Sequence, residues 1–578
     1  MKKLVSLLLA LLLCACTGCS PSLKTVLNSY VGIAAHIPKE TEPIAHTSLS
    51  FSDLPDEVPN VKLEIERMKE LRFRIERGEL TGTQAKAQLD RREQAYREIE
   101  TAAALSYVRY CADVTDAKRK EAYDLLSVET DTLYALLVET HLLLSKDPTL
   151  SEVYDAETVE ELKRADSLYS PSIDSLRKEE RTLVGAYEAA AQGFTVEMYG
   201  RSWTKEQILT DSTLSYESLI PLYEAYMNAY NKEAGTIFLK LIDVRNRIAQ
   251  SFGYPSYVEY AYALYDRDYT PLDTQALAER IQKRIVPLFT EMQDQIFSAQ
   301  MRLSCGTFSE AATMERIRDA ITTMLPELSE PWTYMTSHGM IDVSASEHRM
   351  AGSFTTYFAS YEAPFLFSTW DDSYSMVSTL LHEFGHYASY YRNGEAASAS
   401  LDLCEVDSQG MELLAVSEYD RLYGALADAA RTANLFYALY VLLSGSMEDA
   451  FQQYAYRTEH VTTEQLNAEY GRLCDAYGLS DLGLDAYAWT EIPHTFQSPL
   501  YYVSYCTGML TAWQLLVLSK RDRAAALDAY RSILDRKNGE SFREVVRGAG
   551  LDDPFDADAF RKLTDAMERI IHESDTKG

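Results

Sequence analysis

The chain has 578 residues, 46% hydrophobic and 25% charged, an ordinary globular composition that excludes a mainly disordered or fibrous protein. Lys and Arg number 55 against 87 Asp and Glu, a net charge of −32, which argues against a phosphate-binding surface and so against nucleic acid as a partner. Only 25 Gly and 17 Pro occur, too few for a turn-rich all-β chain, while 40 Tyr stand out; tyrosines fill cores and also line clefts where a ring and a hydroxyl are both useful.

In chain order, Lys2 and Lys3 precede the apolar run Leu4 to Leu13, followed by Cys14, Cys16 and Cys19. The run is too short to span a bilayer, and the pattern is a secretory signal. Small residues before a cysteine resemble a bacterial lipoprotein signal, with Cys16 or Cys19 as the lipidated residue. Residues 1–19 are therefore expected to be a signal peptide, and the mature protein an extracytoplasmic one held on a bacterial cell membrane only by that lipid, or secreted. Cys111, Cys305, Cys404, Cys474 and Cys506 remain beyond it, an odd number without a readable disulfide framework.

Residues 20–60 carry five prolines among Ser and Thr and read as a tether with little regular structure. From Val61 apolar residues recur at helical spacing (Leu63, Ile65, Met68, Leu71, Ile75), and similar periods run through 118–145, 157–192 and 216–252. Residues 61–235 are expected to be a lobe of antiparallel helices, and 236–575 a catalytic domain. One stretch breaks the helical text. Residues 352–361 and 363–369 are aromatic and β-branched, which predicts a pair of strands; such a pair could offer an edge to an extended peptide, or be a plain local hairpin.

Helical text resumes at Asp371. The acidic pair Asp371–Asp372 is placed to cap a helix that Asn393–Gly394 would stop. On that helix His382 and His386 are one turn apart, so both imidazoles can reach one metal ion, and Glu383 lies beside them where it can hold an attacking water without ligating the metal. This H-E-x-x-H arrangement is that of zinc proteases. Two histidines leave zinc short of a protein ligand. Asp402, Cys404, Glu405, Asp407 and Glu412 on the next helical stretch could each supply one. Glu405 and Glu412 are two turns apart and share a face, where a carboxylate can also serve as acceptor behind a zinc-bound histidine. Gly410 between them either permits close packing on the histidine helix or is incidental.

His382-Glu-Phe-Gly-His386 followed by Glu405-Val-Asp-Ser-Gln-Gly-Met-Glu412 resembles the thimet oligopeptidase and oligoendopeptidase F family of zinc metallopeptidases. Ile492-Pro-His494, the spaced tyrosines Tyr501, Tyr502 and Tyr505, and Thr507-Gly508 are similar to the family's third block, as are Arg245-Asn-Arg and Arg349-Met-Ala-Gly352 upstream; the oligoendopeptidase F branch is the nearer. The resemblance covers about residues 240 to 575. It implies a mainly α, two-lobed helical zincin-type oligopeptidase, with a deep substrate channel and a small β element beside the active site. It implies one Zn2+ per chain on His382, His386 and Glu405, with Glu412 behind a histidine. Glu383 would take a proton from water and deliver it to the leaving amine. His494 and Tyr501 would stabilise the oxyanion, and Tyr505 and Tyr502 would contact substrate. Two departures stand out: Ser389 where the family often has a histidine, and Val503 where it often has a tyrosine.

The implied activity is hydrolysis of internal bonds in short peptides. The alternatives are a helical zinc carboxypeptidase or dipeptidase, which needs a cation to grip a terminal carboxylate, and a non-catalytic lipid-anchored peptide-binding protein, against which the intact Glu383 and ligand set argue.

Overall fold

The computed structural model describes residues 44–575 except Tyr169. The expected signal, with Cys16 and Cys19, lies outside the described residues. Helices α1 (Val61–Glu76), α2 (Gly82–Ala112), α3 (Ala117–Leu144) and α4 (Ala156–Asp166) share one apolar core, in which Ile65, Met68, Leu71 and Ile75 of the predicted stripe are buried. A second and much larger core takes in the chain from α5 (Asp174–Gly193) onward, together with Leu105, Val108 and Cys111 at the end of α2.

Between them and α6 (Lys205–Thr210) lies a hairpin absent from the sequence reading. β1 (Val196–Met198) pairs antiparallel with β2 (Arg201–Trp203). Its two turn residues, Tyr199 and Gly200, both have positive φ (55° and 79°), the turn whose twist matches a two-residue hairpin. Helix α7 (Tyr216–Ser251) runs straight through the expected domain boundary at 235/236, so that boundary falls inside a helix and not in a linker. Helices α8 (Tyr257–Leu264), α9 (Pro271–Leu303), α10 (Glu310–Met324) and α11 (Ser329–Ser337) follow.

The predicted strand pair is present as β4 (Ser353–Phe358) and β5 (Ala363–Thr369), joined through Glu362 in the left-handed region (φ 48°). A third strand, β3 (Ile341–Ser344), runs parallel to β5 on its other side, so β5 is central and β4 is one of two edges. All six residues of β4 are buried. The described end of the expected tether is not loose. Phe51 packs on Phe358 and Phe365, the His46 ring stacks on Tyr391, and the Phe51 amide donates to the His338 carbonyl at 2.8 Å. It is irregular chain laid against the sheet.

The remaining helices are α12 (Ser375–Asn393), α13 (Leu401–Leu414), α14 (Tyr419–Tyr423), α15 (Ala427–Arg457), α16 (Thr463–Ala476), α17 (Pro493–Gln497), α18 (Tyr502–Arg521), α19 (Arg523–Leu534), α20 (Phe542–Gly548) and α21 (Ala557–Asp575). Helix α12 packs on α13, and α13 packs on α18. The acidic pair does not cap α12. Asp371 accepts from the Ser373 amide at 2.9 Å, and Asp372, at φ 59°, accepts from the Trp370 indole at 2.6 Å, so both shape the turn from β5 and the helix begins later, at Ser375. Gly394, at φ 57°, stops the helix as expected. Among the described residues no helix is long and apolar enough to cross a membrane.

Candidate metal centre and active site

Helical spacing puts His382 and His386 on one face of α12, with their Nε2 atoms 3.2 Å apart. Helix α13 brings Glu405 against them: its Oε2 is 3.8 Å from His382 Nε2. The three side chains offer ligand atoms that all lie within 4.8 Å of one another. The helices can approach this closely because of two glycines. A Cβ on Gly385 would stand 2.4 Å from the Asp407 carbonyl oxygen, and one on Gly508 would stand 2.6 Å from Glu405 Cβ. Gly410 has another role from the one weighed in the sequence. It faces away from α12, towards Tyr530 and Leu515.

The other candidates on α13 are committed elsewhere. Asp402 accepts from Tyr269 at 2.7 Å and from Thr507. Cys404 donates to the Ala397 carbonyl, and Asp407 is held by Arg536 at 2.8 Å on both oxygens. Glu412 Oε1 lies 2.7 Å from His382 Nδ1, which directs Nε2 of that ring towards Glu405 and His386.

Burial opposes protonation of His382, yet the Glu412 hydrogen bond and the charges of Glu412, Glu405 and Glu383 push it up to about 9. Burial, with His382 beside it, holds His386 well below the ordinary imidazole range. Burial lifts Glu405 to about 7 against the pull of His382 and Tyr501. Three carboxylates thus share a buried site with two imidazoles. A divalent cation fits such a donor set, since it offsets the cost of burying like charges.

Glu383 is fully buried and is not one of the three clustered ligands. Thr355 on β4 donates to its Oε2 at 2.8 Å and to its carbonyl at 3.0 Å. That tie had no sequence signal, because it depends on how the edge strand crosses α12. Glu383, His382 and Glu412 line a cavity of about 390 Å³ that continues between Gly352–Ser353 and Tyr437 of α15, with Tyr502 and Tyr505 on its wall.

The third block is only partly as expected. Tyr501 is 2% exposed and its hydroxyl donates to Glu405 Oε1 at 2.7 Å, so it holds a candidate ligand, while Tyr502 and Tyr505 face the cavity. His494 is buried with its ring centroid 5.0 to 5.9 Å from all three tyrosine rings, and its Nε2 lies 3.4 Å from the Tyr505 hydroxyl.

Residues 334–564 match the profile of peptidase family M3. Over this segment the chain is similar to the M3 family. Oligopeptidase PepF of Bacillus subtilis (strain 168) is 26% identical over 294 residues, 45% of this chain and 42% of that protein; the chain spans less than half the length of the curated relatives it matches. Two solved structures cover nearly all of the chain. PZ peptidase A with an inhibitor has a TM-score of 0.77 at 20% identity, covering 90% of this chain and 99% of that one. A structure described as an oligoendopeptidase F from Bacillus anthracis has a TM-score of 0.75 at 21% identity, covering 92% and 100%. The fold is accordingly the two-lobed, mainly helical one the sequence implied. Within the matched segment, Ser389 sits behind the site, where Arg536 donates to its hydroxyl at 3.2 Å. Val503 is buried, on the α18 turn between Tyr502 and Tyr505.

Proposed function

We propose that this chain is a zinc-dependent endopeptidase that hydrolyses internal bonds of short peptides. The observation that carries the reading is the convergence of His382, His386 and Glu405 within 4.8 Å, beside a buried Glu383 that opens on a cavity walled by tyrosines. His382, His386 and Glu405 would hold one zinc ion, and bound there it supplies Lewis-acid polarisation of the scissile carbonyl and of the attacking water.

This chain's own residues supply the rest. Thr355 orients the Glu383 carboxylate, which accepts the proton of the attacking water and returns it to the departing amine nitrogen. Tyr505, with His494 behind it, and Tyr502 donate from the opposite wall to the carbonyl oxygen as negative charge develops there. An extended peptide can add to the edge strand β4, whose Ser353 lines the cavity. The cavity-lining residues include no Lys or Arg, and a carboxypeptidase would need one to hold a terminal carboxylate.

Digestion of a mixed peptide pool with and without chelator, followed by sequencing of the products, tests the reading. Internal cuts that chelator abolishes and zinc restores are expected. Release of terminal residues alone would replace it with the carboxypeptidase or dipeptidase reading, and intact peptides would sink it. We further propose that lipid on Cys19 or Cys16 holds the protein on the outer face of a bacterial membrane. More than one acyl chain is needed for stable anchoring, and an unmodified mature N-terminus beyond residue 19 in mass spectrometry would refute this.

A further inference from the structure

We propose that Arg245 and Arg267 are positioning residues that clamp the segment between His494 and Tyr501 by its carbonyl groups, and so fix where the cavity tyrosines point. The inference rests on the peptidase reading above. Arg245 of α7 is fully buried. Its Nε donates to Glu180 at 2.7 Å and its Nη1 to the Tyr456 hydroxyl at 2.9 Å, leaving Nη2 for the Phe496 carbonyl. Arg267 follows α8 and carries its own box: the rings of Tyr262, Tyr265 and Tyr269 lie 4.5, 5.0 and 5.7 Å from its guanidinium. Its Nη2 donates to the Leu500 carbonyl at 2.6 Å and to the Ser504 hydroxyl at 3.2 Å.

Two further hooks fall on Pro499 and Leu500. The Tyr265 hydroxyl donates to the Pro499 carbonyl at 3.0 Å, and Gln452 accepts from the Leu500 amide at 2.5 Å. Leu500 needs holding, since its φ of 64° is one that a bulky side chain rarely adopts. The next residue, Tyr501, caps α18, and Tyr502 and Tyr505 lie on its first turns. The box is also tied to the ligand helix, because its wall residue Tyr269 donates to Asp402, one turn before Glu405. Two buried guanidinium groups therefore register the tyrosine helix against the ligand helix. Arg245 uses all three nitrogens of a planar fork and Arg267 sets its plane among three rings, neither of which lysine reproduces.

A merely structural role would lower thermal stability and leave turnover of the folded enzyme alone. The test uses zinc-loaded, full-length Arg267→Lys, Arg245→Lys and Tyr265→Phe, the last removing only the bond to Pro499. Measured are kcat, KM, zinc content, and affinity for a phosphinic peptide that imitates the tetrahedral intermediate. For Arg267→Lys, kcat is expected to fall about 100-fold, the cost of a misplacement of about 1 Å, with KM within about threefold and zinc unchanged. Affinity for the phosphinic peptide should fall by the same factor as kcat. Arg245→Lys and Tyr265→Phe should lose about tenfold each. Wild-type kcat in folded variants, with only a lower Tm, overturns the clamp. If Arg267→Lys does not fold, wild-type kcat in the other two does so. A wild-type enzyme that cleaves no peptide sinks the peptidase reading and the clamp with it, whereas an active wild type with unaffected variants sinks the clamp alone.

Discussion

Gly385→Ala tests the way two helices build the metal site. Gly385 lies between the two histidines of α12, and its missing side chain faces backbone. An added Cβ would stand 2.4 Å from the Asp407 carbonyl oxygen and 2.6 Å from Ser408 Cα, where ordinary contact begins at 3.4 Å. Backbone atoms cannot rotate aside, so α12 and α13 must part by about 1 Å, and overpacking of this kind costs about 1–3 kcal/mol. Helix α13 has little room to retreat, because Gly508 and Gly410 already bring α18 and Tyr530 against it. The displacement therefore falls on the distance of 3.8 Å between His382 and Glu405. Metal ligands tolerate shifts of only about 0.2 Å, so zinc affinity should fall at least about 100-fold. Dialysis against a competing chelator, with zinc analysis, melting curves and peptide turnover, measures this. Gly185→Ala in α5, where nothing lies within 4 Å of the added Cβ, is the control. It should leave zinc alone and stabilise by about 1 kcal/mol or less. A Gly385→Ala protein with native zinc affinity and turnover would refute the packing argument.

Glu412→Ala removes the acceptor behind His382 and should weaken zinc binding about 10–100-fold, whereas Glu405→Ala should abolish it; the reverse order in a zinc titration would overturn the ligand assignment. Tyr501→Phe should weaken zinc retention, since the lost hydroxyl holds Glu405. Tyr505→Phe should lower kcat about 100-fold with little change in KM, and the opposite pattern in a fluorogenic assay would return the oxyanion role to Tyr501. Burial pushes the Glu93 carboxyl up, but the His141 hydrogen bond and charge, with Lys86, overcome it and hold it at about 2. Its folded value lies below its unfolded one, so that stabilisation is complete above about pH 4.5 and is lost as pH falls towards 2. The Tm gap between wild type and Glu93→Gln should close over that window, and a constant gap would count against the pair.

What was legible followed from period. His382 and His386 announce a shared face because a helix turns once in 3.6 residues, and the same rule put Glu405 and Glu412 together. Aromatic and β-branched content marked β4 and β5, but β3 is four residues long and is recognised only by what it pairs with. The β1–β2 hairpin was missed because three-residue strands carry no usable period. Local sequence also could not tell that residues 44–60 would dock on the sheet, since proline and serine content speaks of regular structure and not of packing. Side chains acting across the fold were the least legible. Thr355 reaches Glu383 from 28 residues upstream, Tyr501 turns to Glu405 and not to the cavity, and Asp371 and Asp372 spend their carboxylates on the turn before α12. Such partners are fixed by tertiary approach, which propensity does not encode.

Glu383→Gln tests the central claim most directly, compared with wild type on an end-blocked fluorogenic peptide with zinc content measured in both. Glu383 is not one of the clustered ligands, and an amide cannot accept the proton from water. The variant should therefore carry one zinc per chain, bind the peptide and lose nearly all turnover. Substantial hydrolysis by Glu383→Gln, or loss of its zinc, would contradict the account.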